Sequence, residues 1–273
     1  MADGTNPRDE LLAALQHDTA WQPALESLLA LGAEKRRSLI DATVAGALVM
    51  LLGDPSRTRQ RRAADVICGL VGDVPGLTGA LRSALSAPDP RLRWGAAYTM
   101  GHAVRPPAES LWPAVRETLA LEDGDQRWAA AELACDLARE HPAVRAEILT
   151  AVAAGSATVR RMLLYCLRDL SDPELLEVAK TRLRDEDPGV RLAALSAAAR
   201  AERTATETEA LCERIAPLLE RDPDAGVRRA AAATLGKLGA TTPTVVLALE
   251  RAAAGPDASL ARAAKAARER LAP

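Results

Sequence analysis

The sequence predicts an all-α fold, an α-solenoid of about seven two-helix repeats behind a short helical cap. Three observations predict it. An arginine in an apolar helical setting returns at positions 61, 93, 127, 160, 191 and 228, at intervals of 32, 34, 33, 31 and 37 residues. A seventh copy follows at Leu260-Ala261-Arg262-Ala263, with alanine in the arginine's place. Such a period marks stacked supersecondary units, each burying its apolar face against the next. Counting Arg228 as offset zero, Val227, Ala231, Thr234, Leu235 and Leu238 fall at −1, +3, +6, +7 and +10, one helical face at 100° per residue. Finally, Asp89, Asp123, Asp187, Asp224 and Asp257 stand four residues before the arginine position, with Ser156 in the fourth copy. Asp or Ser there accepts the orphan N–H groups of a helix's first turn.

In chain order, residues 1–34 form the cap, with helices near 7–16 (Asn6 as N-cap, Pro7 in the first turn) and 20–31. Residues 35–273 form the repeat array, read as one continuous domain because no stretch has linker composition. Its first helices are the apolar segments near 35–52, 76–86, 107–121, 143–154, 173–184, 206–220 and 243–253. Each arginine opens the second helix of its pair. Asp54-Pro55, Asp89-Pro90 and Asp187-Pro188 mark turns inside a pair, and Gly or Pro separates one pair from the next, as at Gly72 to Pro75 and Gly239 to Pro243.

Composition sets the limits on function. At 273 residues and 48% hydrophobic content the chain buries a large core and is not disordered. Aromatic residues make up 2% and Phe is absent, so that core consists of Ala, Leu, Val and Ile, small enough for close helix approach. The formal charge of −2 gives no global pull toward nucleic acid or membrane. Cys68, Cys135, Cys166 and Cys212 form no CxxC and read as small packing residues. No run of about 18 apolar residues and no signal-peptide pattern exists, so a soluble cytoplasmic protein without a membrane partner is expected. His17, His102 and His141 are scattered, with no HExxH, phosphate loop or GxSxG, so no metal, cofactor or catalytic constellation is expected.

The pattern Asp-x-x-Val-Arg-x-x-Ala-x-x-Ala-Leu-Gly, carried by Asp224, Val227, Arg228, Ala231, Thr234, Leu235 and Gly236, resembles the HEAT-repeat family, including its phycobilin-lyase-type branch. The resemblance covers about residues 35–271. It implies a right-handed superhelix of antiparallel pairs whose second helices line a concave face. It also implies a ladder between neighbouring repeats, built from the recurrent Asp and from Arg61, Arg93, Arg127, Arg160, Arg191 and Arg228. Iron-dependent hydroxylases that share these repeats use repeated His-Glu pairs, whereas the sole neighbouring pair here, Glu140-His141, precedes Pro142 in a turn.

If the ladder holds the fold, function belongs where repeats differ on the opposite stripe, at offsets +1, +5, +8 and +12. The second repeat places Trp94, Tyr98, Gly101 and Arg105 there, the third Trp128, Glu132, Cys135 and Arg139, and the fourth Arg161, Tyr165, Arg168 and Asp172. Aromatics beside arginines suit stacking and hydrogen bonding on a rigid groove. The expected contact set is therefore Trp94, Tyr98, Trp128, Glu132, Arg161, Tyr165 and Arg168, and the expected role is a non-catalytic scaffold gripping a protein or peptide segment. The stripe also reads as cationic through Arg62, Arg105, Arg139, Arg161, Arg168 and Arg229, which leaves nucleic acid as a second partner class. The alternative is a weaker resemblance to HEAT-like alkylpurine DNA glycosylases, with Glu132 as the catalytic acid, although Tyr98 stands where that family carries its acid.

Overall fold

A computed structural model describes residues 6–104, 108–167 and 173–271. These contain seventeen α-helices and no strand, and none of the helices is long and apolar enough to cross a membrane. The chain divides into two compact units, Met1–Leu133 and Ala134–Pro273.

The first unit opens with α1 (Pro7–Gln16) and α2 (Trp21–Ala30), then α3 (Ala33–Leu39), α4 (Ala42–Met50) and a 3₁₀ turn at Leu51–Gly53. Then come α5 (Arg57–Leu70), which packs on α4, the pair α6 (Pro75–Ala84) with α7 (Pro90–Ala103), α8 (Ala108–Thr118), and α9 (Gly124–Glu140), which runs into the second unit. The expected helix over 35–52 is thus two helices. Asp41 breaks it by accepting the N–H groups of Thr43 and Val44, a new N-cap, while its other oxygen takes Arg8 Nε at 2.6 Å. In the second unit, α10 (Pro142–Ala154), α12 (Pro173–Arg182), α14 (Ala205–Arg221) and α16 (Pro243–Ala254) alternate with α11 (Ala157–Leu167), α13 (Pro188–Ala198), α15 (Ala225–Leu238) and α17 (Ala258–Leu271).

Two layers result. In the second unit α11, α13, α15 and α17 pack successively on one another, and α10 on α12 and α14 on α16 form the other layer. In the first unit α4 packs on α6 and α5 on α7. Aliphatic side chains fill the space between, among them Ile67, Leu70, Leu77, Leu81, Met100, Leu111 and Leu119, all fully buried. Where second helices touch, the side chain is small. A Cβ on Gly101 would lie 2.6 Å from Leu133 Cδ1, and one on Gly236 would lie 2.7 Å from Ala267 Cα. Cys135 Sγ meets the Cys166 carbonyl at the same level of its helix, 2.8 Å away. The +8 position is therefore a helix contact and not part of an exposed stripe, which corrects the placement of Gly101 and Cys135.

The arginine ladder is present, with different acids from those expected. Asp89, Asp187 and Asp224 spend an oxygen as N-caps, on the N–H groups of Arg91, Val190 and Val227. The guanidinium of each ladder arginine reaches back to carbonyls of the preceding loop. Arg93 donates to Ala87 and Pro88, Arg127 to Leu121, Arg160 to Gly155, Arg191 to Asp185 and Glu186, and Arg228 to Asp222 and Pro223. Forward, Arg93 pairs with Glu117, Arg160 with Asp185 and Arg191 with Asp222, while only Arg228 approaches an N-cap acid, Asp257. Asp185 and Asp222 stand two residues before the N-caps they accompany. Arg191 and Asp222 are both buried and join through two bonds of 2.7 and 2.8 Å, the bidentate geometry only arginine provides.

Arg61 does not belong to that ladder. Ser56 caps α5, so the ladder position of this repeat is Gln60, and Arg61 is exposed. Arg59 holds this end of the unit instead, donating to the Leu15 carbonyl, pairing with Asp54 at 3.3 Å and lying 5.4 Å from the Trp21 ring.

Candidate binding face

Registering the helices by their N-caps, Ser56, Asp89 and Asp123, brings one set of residues into line across α5, α7 and α9. Five residues on stand Arg61, Trp94 and Trp128, and nine residues on stand Asp65, Tyr98 and Glu132. The first unit thus carries a row of one arginine and two tryptophans above a row of acid, tyrosine and acid.

These rows border a cavity of about 330 Å³ lined by residues of all three helices, among them Arg57, Arg61 and Asp65 of α5, Trp94 and Tyr98 of α7, and Asp125 of α9. That volume lies at the lower end of small-ligand pockets and admits an amino-acid side chain. Gly95 forms part of the floor, where α7 lies so close to Leu52 that an added Cβ would sit 2.6 Å from the Leu52 carbonyl oxygen. Trp94 is 7% exposed, which corrects its expected place on an open surface: its ring is a wall of the cavity. The Trp94 and Tyr98 rings stand 5.7 Å apart at 55°, and His102 lies 4.3 Å behind Tyr98. Trp128 is 48% exposed, a large apolar surface turned to solvent on α9. Glu132, one turn further, is also exposed.

Ion pairs tie α5 to α9 past the intervening α7. Arg57 binds Asp123 and reaches Asp125 at 3.2 Å, and Arg61 lies 4.0 Å from Asp125. Asp123 also caps α9, accepting the N–H groups of Asp125 and Gln126. Among the described residues, the side chains of Asp65 and Glu132 make no hydrogen bond or ion pair. Arg62, expected on the stripe, pairs with Glu26 of α2 at 2.9 Å and lowers the carboxyl's pKa from its ordinary value. Among the described residues of this face, the carboxylates without a side-chain partner are therefore Asp65 and Glu132, while Arg62 of the expected cationic stripe is neutralised by Glu26.

Arg161 and Tyr165 lie on α11 in the second unit, each half-buried. Arg161 lies against the first turn of α13, where a Cβ on Gly189 would be 3.1 Å from its Nη1. Arg168, Arg105 and Asp172 fall outside the described residues. Cys135 and Cys166 are buried, and the Cys135 thiol together with burial holds the Cys166 thiol well above its ordinary pKa, which makes it a poor nucleophile. Sequence reasoning missed Arg57, Asp65 and Asp125 as cavity residues. The N-cap at Ser56 is the signal that would have found Asp65.

No protein-family model matches the sequence, and no curated protein matches it. Solved structures do resemble the fold. Kap95p, from work on how its binding induces the switch loops of RanGDP to adopt the GTP-bound conformation, superposes with a TM-score of 0.62 at 12% identity over 97% of this chain. Importin beta gives 0.59 at 15% over 96%, and Kap121p bound to Ste12p gives 0.58 at 13% over 97%. This chain spans 40%, 40% and 33% of those proteins. At such identities the likeness establishes architecture alone, and that architecture is the HEAT-type helical solenoid.

Proposed function

We propose that the protein is a non-catalytic binding scaffold and that the face made by α5, α7 and α9 grips a segment of another protein. The observation that carries this reading is the cavity walled by Trp94 and Tyr98 beside the exposed Trp128. Aromatic rings held by rigid helices concentrate binding energy in a few residues and lose little entropy on contact. Arg161 and Tyr165 hold the corresponding positions on α11 of the second unit and are not needed for this reading. A base-excision reading, with Glu132 as acid, would need a surface that attracts phosphates. The unpaired carboxylates of Asp65 and Glu132 oppose it.

Selection from a proteome-derived peptide library tests the proposal, using the wild-type protein and Trp128→Ala in parallel. Sequences enriched by the wild type and lost with Trp128→Ala, at an unchanged denaturation midpoint, support it. Enrichment that survives Trp128→Ala and Tyr98→Ala alike would place binding elsewhere and retire this face.

A further inference from the structure

We infer that the cavity takes a basic side chain, arginine or lysine, carried by an extended segment of the partner. This rests on the reading of the face as a peptide-binding surface and adds the chemistry of what enters. The carboxylates here divide into spent and unspent. Asp123 caps α9 and holds Arg57, and Asp125 answers Arg57 and Arg61. Asp65 lines the cavity and Glu132 lies beyond it on α9; both are exposed, and among the described residues neither has a partner. They share one helical position on α5 and α9, and Tyr98 holds that position on α7 between them.

The rings add to this preference. Trp94 and Tyr98 form a corner, and a cation beside aromatic faces is attracted by their quadrupoles while a neighbouring carboxylate supplies a charge-assisted hydrogen bond. An anion would meet Asp65 unshielded, and the two cations that line the cavity, Arg57 and Arg61, already face Asp123 and Asp125. A guanidinium fits best, because it is planar, stacks on rings and sheds water more easily than an ammonium. Neighbouring packed helices lie roughly 8–10 Å apart, so the two acids stand about two such spacings from each other. That is the reach of about five or six extended residues. A segment crossing the three helices can therefore place one basic side chain against Asp65 in the cavity and a second against Glu132 beside Trp128.

Three labelled octapeptides of serine and alanine test this by fluorescence anisotropy: one with two arginines, one with citrulline in their place, and one with glutamate. Citrulline keeps the planar shape of arginine but loses its charge and exchanges one donor NH2 for an accepting carbonyl oxygen. The arginine peptide should bind and weaken as salt rises. The citrulline peptide should bind about tenfold more weakly or worse, and Asp65→Asn should weaken the arginine peptide by about tenfold. Citrulline or glutamate binding as well as arginine, or Asp65→Asn without effect, would overturn the basic-side-chain inference and leave the peptide-binding face standing. No binding of any of the three at about 1 mM also overturns it. The library selection with Trp128→Ala then decides separately whether the face binds peptide at all.

Discussion

Replacing Gly95 by alanine should destabilise the protein, and the same change at Gly79 should stabilise it. Both glycines lie inside helices, α7 and α6, so alanine's helical advantage of about 1 kcal/mol applies to both. Their surroundings differ. At Gly79, which is exposed, an added Cβ meets nothing within 4 Å. At Gly95 it would lie 2.6 Å from the Leu52 carbonyl oxygen and 2.7 Å from Leu52 Cβ. The obstacle is backbone in a 3₁₀ turn, which cannot swing aside as the tip of a long side chain can. Overpacking of this kind costs about 1–3 kcal/mol. Helix propensity cancels between the two variants, so Gly79→Ala should exceed Gly95→Ala in stability by about 1–3 kcal/mol. Urea denaturation followed by circular dichroism reads this as a higher midpoint for Gly79→Ala than for Gly95→Ala at constant m. Equal midpoints would refute the close approach of α7 to Leu52, and with it the shape of the cavity floor.

Three further outcomes follow from the ladder and the thiols. Asp222→Ala leaves the Arg191 guanidinium buried without its carboxylate and should cost about 3–5 kcal/mol, whereas Glu250→Ala, from the exposed pair with Arg268, should leave the urea midpoint nearly unchanged. Burial pushes the Asp185 carboxyl up, but Arg160, the Asp187 N–H and Arg182 together hold it below its ordinary value of 3.8. Its contribution to stability is therefore complete above pH 3.8 and is withdrawn as pH falls through the lower native value. Asp185→Asn should flatten that part of the acid-unfolding curve, measured as midpoint against pH, and an unchanged curve would remove Asp185 from the ladder's energetics. Cys135 and Cys166 should resist iodoacetamide in the folded protein and react in urea, with Cys68, half-buried, the first to be labelled; mass spectrometry locates the adducts.

The fold was legible because its signal is redundant. Arginine period, apolar spacing and N-cap acids each repeat several times, so a fault in one copy is outvoted by the rest. The break at Asp41 escaped notice because the apolar run from 42 to 52 hides a cap whose partner, Arg8, lies 33 residues away. The acids of the ladder escaped for a related reason. An aspartate just before a helix serves equally as cap or as ion-pair partner, and spacing does not distinguish the two roles. In the structure the cap takes the Asp nearest the helix, and the ladder takes Asp185 or Asp222 from the loop, where the carboxylate can face the preceding repeat's guanidinium.

The site was half legible, and the missing half turns on which residue serves as the ruler. An arginine can move within its helix and still find carbonyls to bind, as Arg59 does in the first repeat, so arginine positions drift against the helix frame. An N-cap cannot drift, because it defines where the helix starts. Measured from arginine, the first repeat contributed Arg62 and Asp73 to the stripe. Measured from Ser56 it contributes Arg61 and Asp65, which border the cavity beside Trp94 and Tyr98. One residue of register exchanges Arg62, which pairs with Glu26, for Arg61 and Asp65, which line the cavity. Arg61→Ala is the sharpest check on that register. If Arg61 were a ladder arginine, its loss would lower stability like the loss of Arg191. As an exposed residue at the cavity rim, 4.0 Å from Asp125, it should leave the urea midpoint unchanged and alter only the binding of the arginine peptide.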